Sequence, residues 1–401
     1  MNRHPRWWPL LSTNFLGVLN DNYLKTLACF IAVGWVGMEY EETLVSLAAG
    51  SLVLPYVFLS PMAGRWAITF KKIHVVRIAK AAEIPIMIVA SAGFLFHNVW
   101  LVMFSILFMG IQSSLFSPSK YGLIRDIGGK EHIAYGTGNM EMVSFLGMIL
   151  GTMMASFFAL TVPAWGLAIL FLAIAIGGFV SSWFLRAAET PPEENRETVR
   201  PFLYLVKSIC KARTYKGLNS VIIALSVFWF IAAMIQMTLL VYCRRSLGMN
   251  DFQTGLVLTA AAVGTGAGCF ISGMISKKYN KKIFVPLCST GITILFLSTY
   301  FWSVNGICFA LLFFVTGLLC GLYKVPFDAE IIRKVPGRNL GHMLAYSNQM
   351  SFIFILAASA VFALITNHLE TKAVFLFLGI LMGLTTLFVI FSQYLWTTNQ
   401  E

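Results

Sequence analysis

Charge is what this chain has least of. Asp, Glu, Lys and Arg make up 11% of its 401 residues, while 58% are hydrophobic. A soluble domain carries roughly 25% charged residues, so the polar surface needed to keep a globule of this size in water is missing. That excludes an ordinary soluble enzyme. Paired cysteines are also absent. The seven cysteines (Cys29, Cys210, Cys243, Cys269, Cys288, Cys308 and Cys320) form no CxxC and no Cys/His cluster. They read as small buried hydrophobes, not as disulfides or metal ligands. Catalytic and nucleotide motifs are missing as well: no G-x-x-x-x-G-K-[ST], no H-E-x-x-H, and none of the six histidines has Asp five positions on. No catalysis and no cofactor are expected. A cleavable leader is not expected either, because the first apolar stretch, Trp7 to about Gly37, is too long for one.

Long apolar runs are what the chain has in their place. They recur at about 8–37, 43–63, 74–96, 99–119, 135–160, 164–185, 218–243, 253–275, 283–303, 305–326, 342–366 and 373–395. Each is long enough to cross about 30 Å of hydrocarbon, which predicts an all-α polytopic membrane protein with 12 transmembrane helices. The net charge of +12 does not point to nucleic acid, because the basic residues sit in short loops. One set of loops holds 25 of the 29, from Arg3 and Arg6 to Lys324, Arg333, Lys334 and Arg338; the opposite set holds Arg244, Arg245 and Lys372. By the positive-inside rule both termini are cytoplasmic.

A polar segment around 186–217 divides the spans six and six. The expected organisation is an N-terminal bundle over 1–186, a cytoplasmic linker over 187–217 and a C-terminal bundle over 218–401. The end of the linker, Pro201 to Lys216, mixes apolar and basic residues and reads as a helix lying on the cytoplasmic surface. The halves repeat: Pro118 and Pro326, Ile124 and Ile332, Arg125 and Arg333, Gly129 and Gly337, and Met142 and Met350 recur at a spacing of 208. Two six-helix bundles in a parallel, pseudo-symmetric repeat resemble the major facilitator fold. The loop Gly64-Arg65…Lys71-Lys72, with its counterpart Gly273…Lys277-Lys278, resembles a degraded form of that superfamily's Gly-x-x-x-Asp-Arg signature, with the acidic residue missing.

Ionisable groups inside spans are costly, so they tend to face a polar cavity or a partner. Asn20-Asp21-Asn22 lies mid-span in the first helix, with Asn14 and Gly17 extending its face; Lys25 stands at i+4 from Asp21 and can pair with it. That triplet reads either as the wall of a cavity or as one self-neutralised pair joining two helices. Glu83 is a second cavity carboxylate or a partner for Lys80. Gln112, Ser113, Ser114, Ser117, Ser119 and Lys120 make half of span four polar, with Lys120 either lining the cavity or snorkelling to the surface. Asn139 and Glu141 open span five, where they meet that stripe or merely start the helix. The second half offers Gln236, Asp328 and Glu330, with Asn348 and Gln349 in span eleven. Asp328 stands where Lys120 stands in the first half, so the two could pair; Arg125, Asp328 and Arg333 are candidate gating residues at the cytoplasmic mouth. Gly264-Thr265-Gly266-Ala267-Gly268, inside span eight, reads as close helix packing, not as a nucleotide loop.

Two segments carry a likeness. Asn14-Phe15-Leu16-Gly17-Val18-Leu19-Asn20-Asp21-Asn22-Tyr23-Leu24-Lys25 resembles the opening helix of the bacterial lysophospholipid transporters, the LplT proteins and the transporter domain fused to Aas acyltransferases. Gln112 to Asp126, with its Pro118-Ser119-Lys120-Tyr121-Gly122 core, is similar to their fourth span. The resemblance implies a flippase of the bacterial inner membrane. It would move lysophosphatidylethanolamine-type lipids toward the cytoplasmic leaflet, with Asp21 and Lys120 meeting the headgroup. Phe228-Trp229-Phe230 to Gln236 resembles the family's seventh span, but the arginine of some members is Gln236 here. The substrate-binding set implied is Asn20, Asp21, Asn22, Lys25, Glu83, Gln112, Lys120, Glu141 and Gln236. The expected partners are the lysophospholipid and membrane lipids around a monomer, and a separate acyltransferase is a further partner the resemblance admits. The competing reading of the same carboxylates is a proton-coupled exporter of drugs or metabolites.

Overall fold

The computed structural model describes residues 6–32, 35, 41–194, 200–276, 280–302 and 306–392. Arg3, Arg196, Lys277 and Lys278 of the charge pattern lie outside the described residues. All regular structure among the described residues is helical. The elements are α1 (Trp8–Leu27), running into a π-helical turn (Ala28–Ala32), α2 (Glu41–Thr69), α3 (Lys72–Leu95), α4 (Val99–Gly128), α5 (Ile133–Thr161) and α6 (Ala164–Trp183). The short α7 (Pro201–Ala212) follows, then α8 (Leu218–Arg245), α9 (Asp251–Ile275), α10 (Lys281–Phe301), α11 (Gly306–Lys334), α12 (Asn339–His368) and α13 (Ala373–Phe391). Ten of them, α3–α6 and α8–α13, are long and apolar enough to cross a membrane, so the chain is a multi-pass membrane protein. In α1 the Asn20-Asp21-Asn22 triplet and Lys25 dilute the apolar character. Asn98 starts α4 by accepting from Trp100 and Leu101 N–H at 3.0 and 3.2 Å, and Asn250 with Gln253 forms a capping box at α9.

Two helices outrun the apolar spans furthest. The polar ends beyond 119 and 326 remain helical in α4 (to Gly128) and α11 (to Lys334). Pro118 and Pro326 lie inside these helices and do not end them, because neighbouring packing tolerates the lost backbone bond. The extra turns put charged residues on an ordered helix where a loop was expected.

The chain forms two compact units. Unit 1 holds residues 1–131, 146–208 and 336–349; unit 2 holds 132–145, 209–335 and 350–401. The same packing scheme occurs in both. In unit 1, α2 packs on α4, α3 on α4 and α6, and α1 on α6 and α4; in unit 2, α9 packs on α11, α10 on α11 and α13, and α8 on α13 and α11. Each core carries an aromatic knot. Tyr23, Phe94 and Phe171 meet in unit 1, with Tyr23–Phe171 centroids 4.8 Å apart; Tyr242, Phe309, Phe313 and Phe375 meet in unit 2, with Tyr242–Phe375 at 5.2 Å.

The glycines of α9 act as the sequence suggests. A Cβ on Gly264 or Gly268 would strike the carbonyls of Phe314 or Leu318, and one on Gly317 or Gly321 of α11 would strike those of Ala261 or Thr265. The two backbones are in contact along this seam. The linker is ordered where it is described. Glu189 caps α3, accepting from the N–H groups of Lys72 at 2.5 Å and Ile73 at 3.2 Å. A helix is present there as α7, ending at Ala212. Phe202, Leu203 and Val206 are exposed on it, while Tyr204 is buried and donates to the His342 carbonyl at 2.9 Å.

Candidate functional site

In unit 1 a polar stripe runs between α1 and α4. On α4, Ser113, Ser117 and Lys120 stand at i, i+4 and i+7 and so share a face. On α1, Asn14 and Asp21 are also seven residues apart. The helices meet antiparallel and in register: Lys120 Nζ donates to Asn14 Oδ1 at 2.8 Å, and Ser113 Oγ donates to Asp21 Oδ2 at 2.9 Å. At 1.5 Å per residue the stripe is about 10 Å long. Asn348 on α12 joins its middle, donating to Ser117 Oγ at 2.8 Å. Tyr56 of α2 shares a hydrogen bond with Ser113 at its Asp21 end. Gln112 extends it, donating to the Ala79 carbonyl at 3.0 Å and accepting from Ser113 at 3.1 Å. The Lys120 ammonium also lies over the rings of Phe116 and Tyr121, at 5.0 and 5.3 Å. It is turned inward along the stripe.

Behind α1, on its α3 side, a second cluster is closed on itself. Lys80 Nζ donates to Glu83 Oε2 at 2.6 Å, and both side chains are 1% exposed. Asn20 Nδ2 donates to the other carboxylate oxygen at 2.7 Å. Glu83 is therefore the partner of Lys80, and it ties α1 to α3. Glycines make room for the long amine: a Cβ on Gly17 would collide with Lys80 Nζ, and one on Gly178 would stand 3.5 Å from it.

The expected Asp21–Lys25 ion pair is not made. Asp21 turns to α4 and Ser113, while Lys25 donates to Asn22 Oδ1 at 3.3 Å and Asn22 itself donates to the Val18 carbonyl at 2.8 Å. Seven residues of antiparallel register place Ser113 beside Asp21, and that contact decides its rotamer. One oxygen of Asp21, Oδ1, and Oδ1 of Asn20 are buried without a hydrogen-bond partner among the described residues. Both are acceptors.

Unit 2 has its own ion cluster, which the sequence reading missed. Lys324 was counted with the loops, but it lies on α11 and is 1% exposed. It donates to Asp328 Oδ2 at 2.6 Å and pairs with Glu141 Oε2 of α5 at 2.8 Å, with its ammonium 5.3 Å from the Trp229 ring centre. Asp328 is held by Lys324 of its own helix, one turn away. Glu141 pairs with Lys324 of α11, and Asn139 bonds the Tyr135 carbonyl of its own helix. The signal for Lys324 was the i,i+4 spacing to Asp328, hidden because the span was ended at 326.

The remaining candidates lie apart from both clusters. Gln236 is exposed on α8. Arg125 is half-buried in the last turn of α4, next to Asp126, which pairs with Lys72 at 2.5 Å. Arg333 donates to Glu330 at 3.1 Å, and Glu330 also pairs with Lys281 at 2.9 Å. A lysine at the start of the third span thus grips an acid near the end of the fourth in both units. Arg338, 2% exposed, donates to carbonyls of Ala67 (3.2 Å), Phe70 (2.9 Å), Pro191 (2.9 Å) and Thr190.

The profile of the Major Facilitator Superfamily matches residues 13–353 and, in a second alignment, 221–400. Among curated proteins the chain is similar to the lysophospholipid transporter LplT of Yersinia enterocolitica, 23% identical over 84% of this chain and 82% of that one. It is similar to LplT of Photorhabdus laumondii at 22%, over 87% and 85%. Among solved structures, the human organic anion transporter MFSD10 superposes with a TM-score of 0.77 at 14% identity, covering 96% of this chain and all (100%) of that one. A bacterial homologue of the iron transporter ferroportin superposes with a TM-score of 0.76 at 11% identity, over 96% and 98%. These structural likenesses carry the fold.

Proposed function

The chain belongs to the Major Facilitator Superfamily, and on that footing we propose that it is a lysophospholipid transporter of the bacterial inner membrane. In this reading it carries lysophosphatidylethanolamine-type lipids toward the cytoplasmic leaflet, with both termini cytoplasmic. The names of its curated relatives support the substrate class, and the basic loops support the orientation.

The observation that carries the reading is the stripe itself. Asp21 is bonded through a hydroxyl, not a cation, and keeps one buried acceptor oxygen without a partner among the described residues. Lys120 stands about 10 Å away along the same helix pair. A zwitterionic headgroup needs these two ends. Its ammonium would donate to Asp21, and its phosphate would accept from Lys120 as Asn14 gives way; charge-assisted hydrogen bonds of both kinds are short and strong. Serines and amides between them offer neutral partners along the way. The single acyl chain would stay in hydrocarbon while the headgroup follows the stripe, and access would alternate as in other transporters built from repeats.

The test is leaflet exchange of a fluorescent lysophosphatidylethanolamine in liposomes holding the purified protein. Asp21→Asn removes the charge and keeps the hydrogen bond to Ser113. Exchange should fall at least about tenfold, equivalent to about 1.4 kcal/mol, with the melting temperature unchanged. Exchange equal to wild type would remove Asp21 from the path. No exchange by the folded wild-type protein would reject the lysolipid substrate and favour a different cargo.

A further inference from the structure

Lys25 is half-buried near the end of α1, on the helix face of Asp21 and one turn nearer the outer side in the orientation proposed above. An acid and a lysine four residues apart on a helix ordinarily pair. Here they are held apart, each with bonding capacity left over. Asp21 turns to α4, where Ser113 donates to Oδ2 at 2.9 Å, and its Oδ1 is buried without a hydrogen-bond partner among the described residues. Lys25 Nζ donates once among the described residues, to Asn22 Oδ1 at 3.3 Å. An ammonium has three donors, so that bond leaves two for another acceptor. Asn22 is an amide and does not neutralise it; it donates in turn to the Val18 carbonyl at 2.8 Å. The ionisable groups whose field reaches Lys25 are Asp21 and the Cys29 thiol one turn further on. Just beyond Lys25 the helix widens into the π-helical turn Ala28–Ala32, a departure that is frequent at functional sites.

We propose that Lys25 is the outer phosphate anchor of the stripe, so that Asp21 and Lys25 receive a phosphoethanolamine headgroup between them. The inference rests on the lysolipid reading and adds where the headgroup first binds. Four residues of helix separate the two charges, a rise of about 6 Å. In the headgroup four bonds separate nitrogen from phosphorus, and they span about 5 Å. The headgroup ammonium therefore reaches the open oxygen of Asp21 while the phosphate accepts from Lys25. A zwitterion satisfies both at once, which a bare anion or a bare cation does not. Lys120 lies on the other side of Asp21, with its ammonium at Asn14. The two lysines thus bracket the carboxylate, one toward each leaflet. A headgroup entering ammonium-first from the outer side meets Asp21 with its phosphate on Lys25. Moving inward, it keeps the ammonium on Asp21 and passes the phosphate to Lys120.

The experiment is binding of lysophosphatidylethanolamine to the purified protein, counted by native mass spectrometry. Lys25→Gln should weaken binding about tenfold, the loss of one charge-assisted hydrogen bond, and Lys25→Arg should bind like the wild type. Lysophosphatidic acid isolates the phosphate, because it lacks the ammonium. It is measured on Asp21→Asn protein, where the repelling charge is gone, and adding Lys25→Gln should again weaken binding about tenfold. Melting curves identify a variant that fails to fold, and Lys25→Met then takes its place. Lysophosphatidylethanolamine binding unchanged in Lys25→Gln, with a wild type that binds and exchanges the lipid, would overturn the anchor alone; Lys25 would then meet only bulk membrane lipid. Lysophosphatidic acid binding that is absent or insensitive to Lys25 would also overturn it. A folded wild type that neither binds nor exchanges the lysolipid would overturn the anchor and the transport reading together.

Discussion

The two units repeat one packing scheme and each buries a lysine cluster deep in its spans, yet the two clusters are built differently. In unit 1, Lys80 and Glu83 are three residues apart on α3, and the third partner is a neutral amide, Asn20. The ion pair is balanced and local. In unit 2, Lys324 has a local partner in Asp328 and a distant one in Glu141, both charged. A cluster whose ion pair lies on one helix can remain fixed through a transport cycle; one whose second acid sits on another helix can exchange partners. The comparison assigns a structural role to the first and a changeable one to the second. Asp21, near the balanced pair, keeps one buried oxygen without a hydrogen-bond partner among the described residues.

The largest effect that would test this contrast is loss of the unit 1 lysine. Lys80→Met leaves a buried carboxylate without its cation, which costs about 3–5 kcal/mol. Thermal unfolding in detergent should show it. Adding Glu83→Gln should restore most of the loss, since Asn20 can still donate to the amide oxygen. Lys324→Met should not be restored by one neutralisation, because two acids remain to be answered for. It should need Glu141→Gln and Asp328→Asn together. Equal rescue of both lysines by single changes would erase the difference between the clusters.

A smaller effect separates the crossings of the second and fourth spans. The α9–α11 seam has glycines on both helices, and a Cβ on Gly317 would strike the Ala261 carbonyl, a backbone atom that cannot swing away. Gly317→Ala should cost about 1–3 kcal/mol by overpacking. Gly50 on α2 has open space at its Cβ position, so Gly50→Ala should be neutral or stabilising by up to about 1 kcal/mol. Melting temperatures of the two variants should move apart. A shared loss would mean the α2 glycine has a contact of its own.

The helices, their number and the repeat were legible because hydropathy and the spacing of 208 act over long stretches. Asp21, Glu83 and Lys120 stood out for a similar reason, being ionisable groups in apolar runs. What was hidden was partner choice. Asp21 has Lys25 one turn away but bonds Ser113, because the antiparallel register of α1 and α4 is a tertiary fact. Lys324 was hidden by an element boundary, since a proline and a cluster of charges imitate a helix end. Glu189 looked like linker solvation, and only the folded chain brings it to the open N–H groups of α3.

The smallest effect concerns one buried tyrosine in each unit: Tyr23, in the aromatic knot of unit 1, and Tyr323, which packs on Phe228 and Phe327 in unit 2. Tyr23 is fully buried (0% exposed) and Tyr323 nearly so (1%); neither hydroxyl has a hydrogen-bond partner among the described residues. A buried polar group left unsatisfied costs about 1–3 kcal/mol, whereas its removal by an apolar group of the same shape is close to neutral or stabilising. Tyr23→Phe and Tyr323→Phe should therefore leave the melting temperature unchanged or raise it slightly. A fall on either substitution would reveal a bound water satisfying that hydroxyl. The two results together sharpen the comparison. Tyr323 adjoins Lys324, so a water found there and not at Tyr23 would mark unit 2 as the wetter core beside its lysine cluster. No change in either variant would leave both cores equally dry.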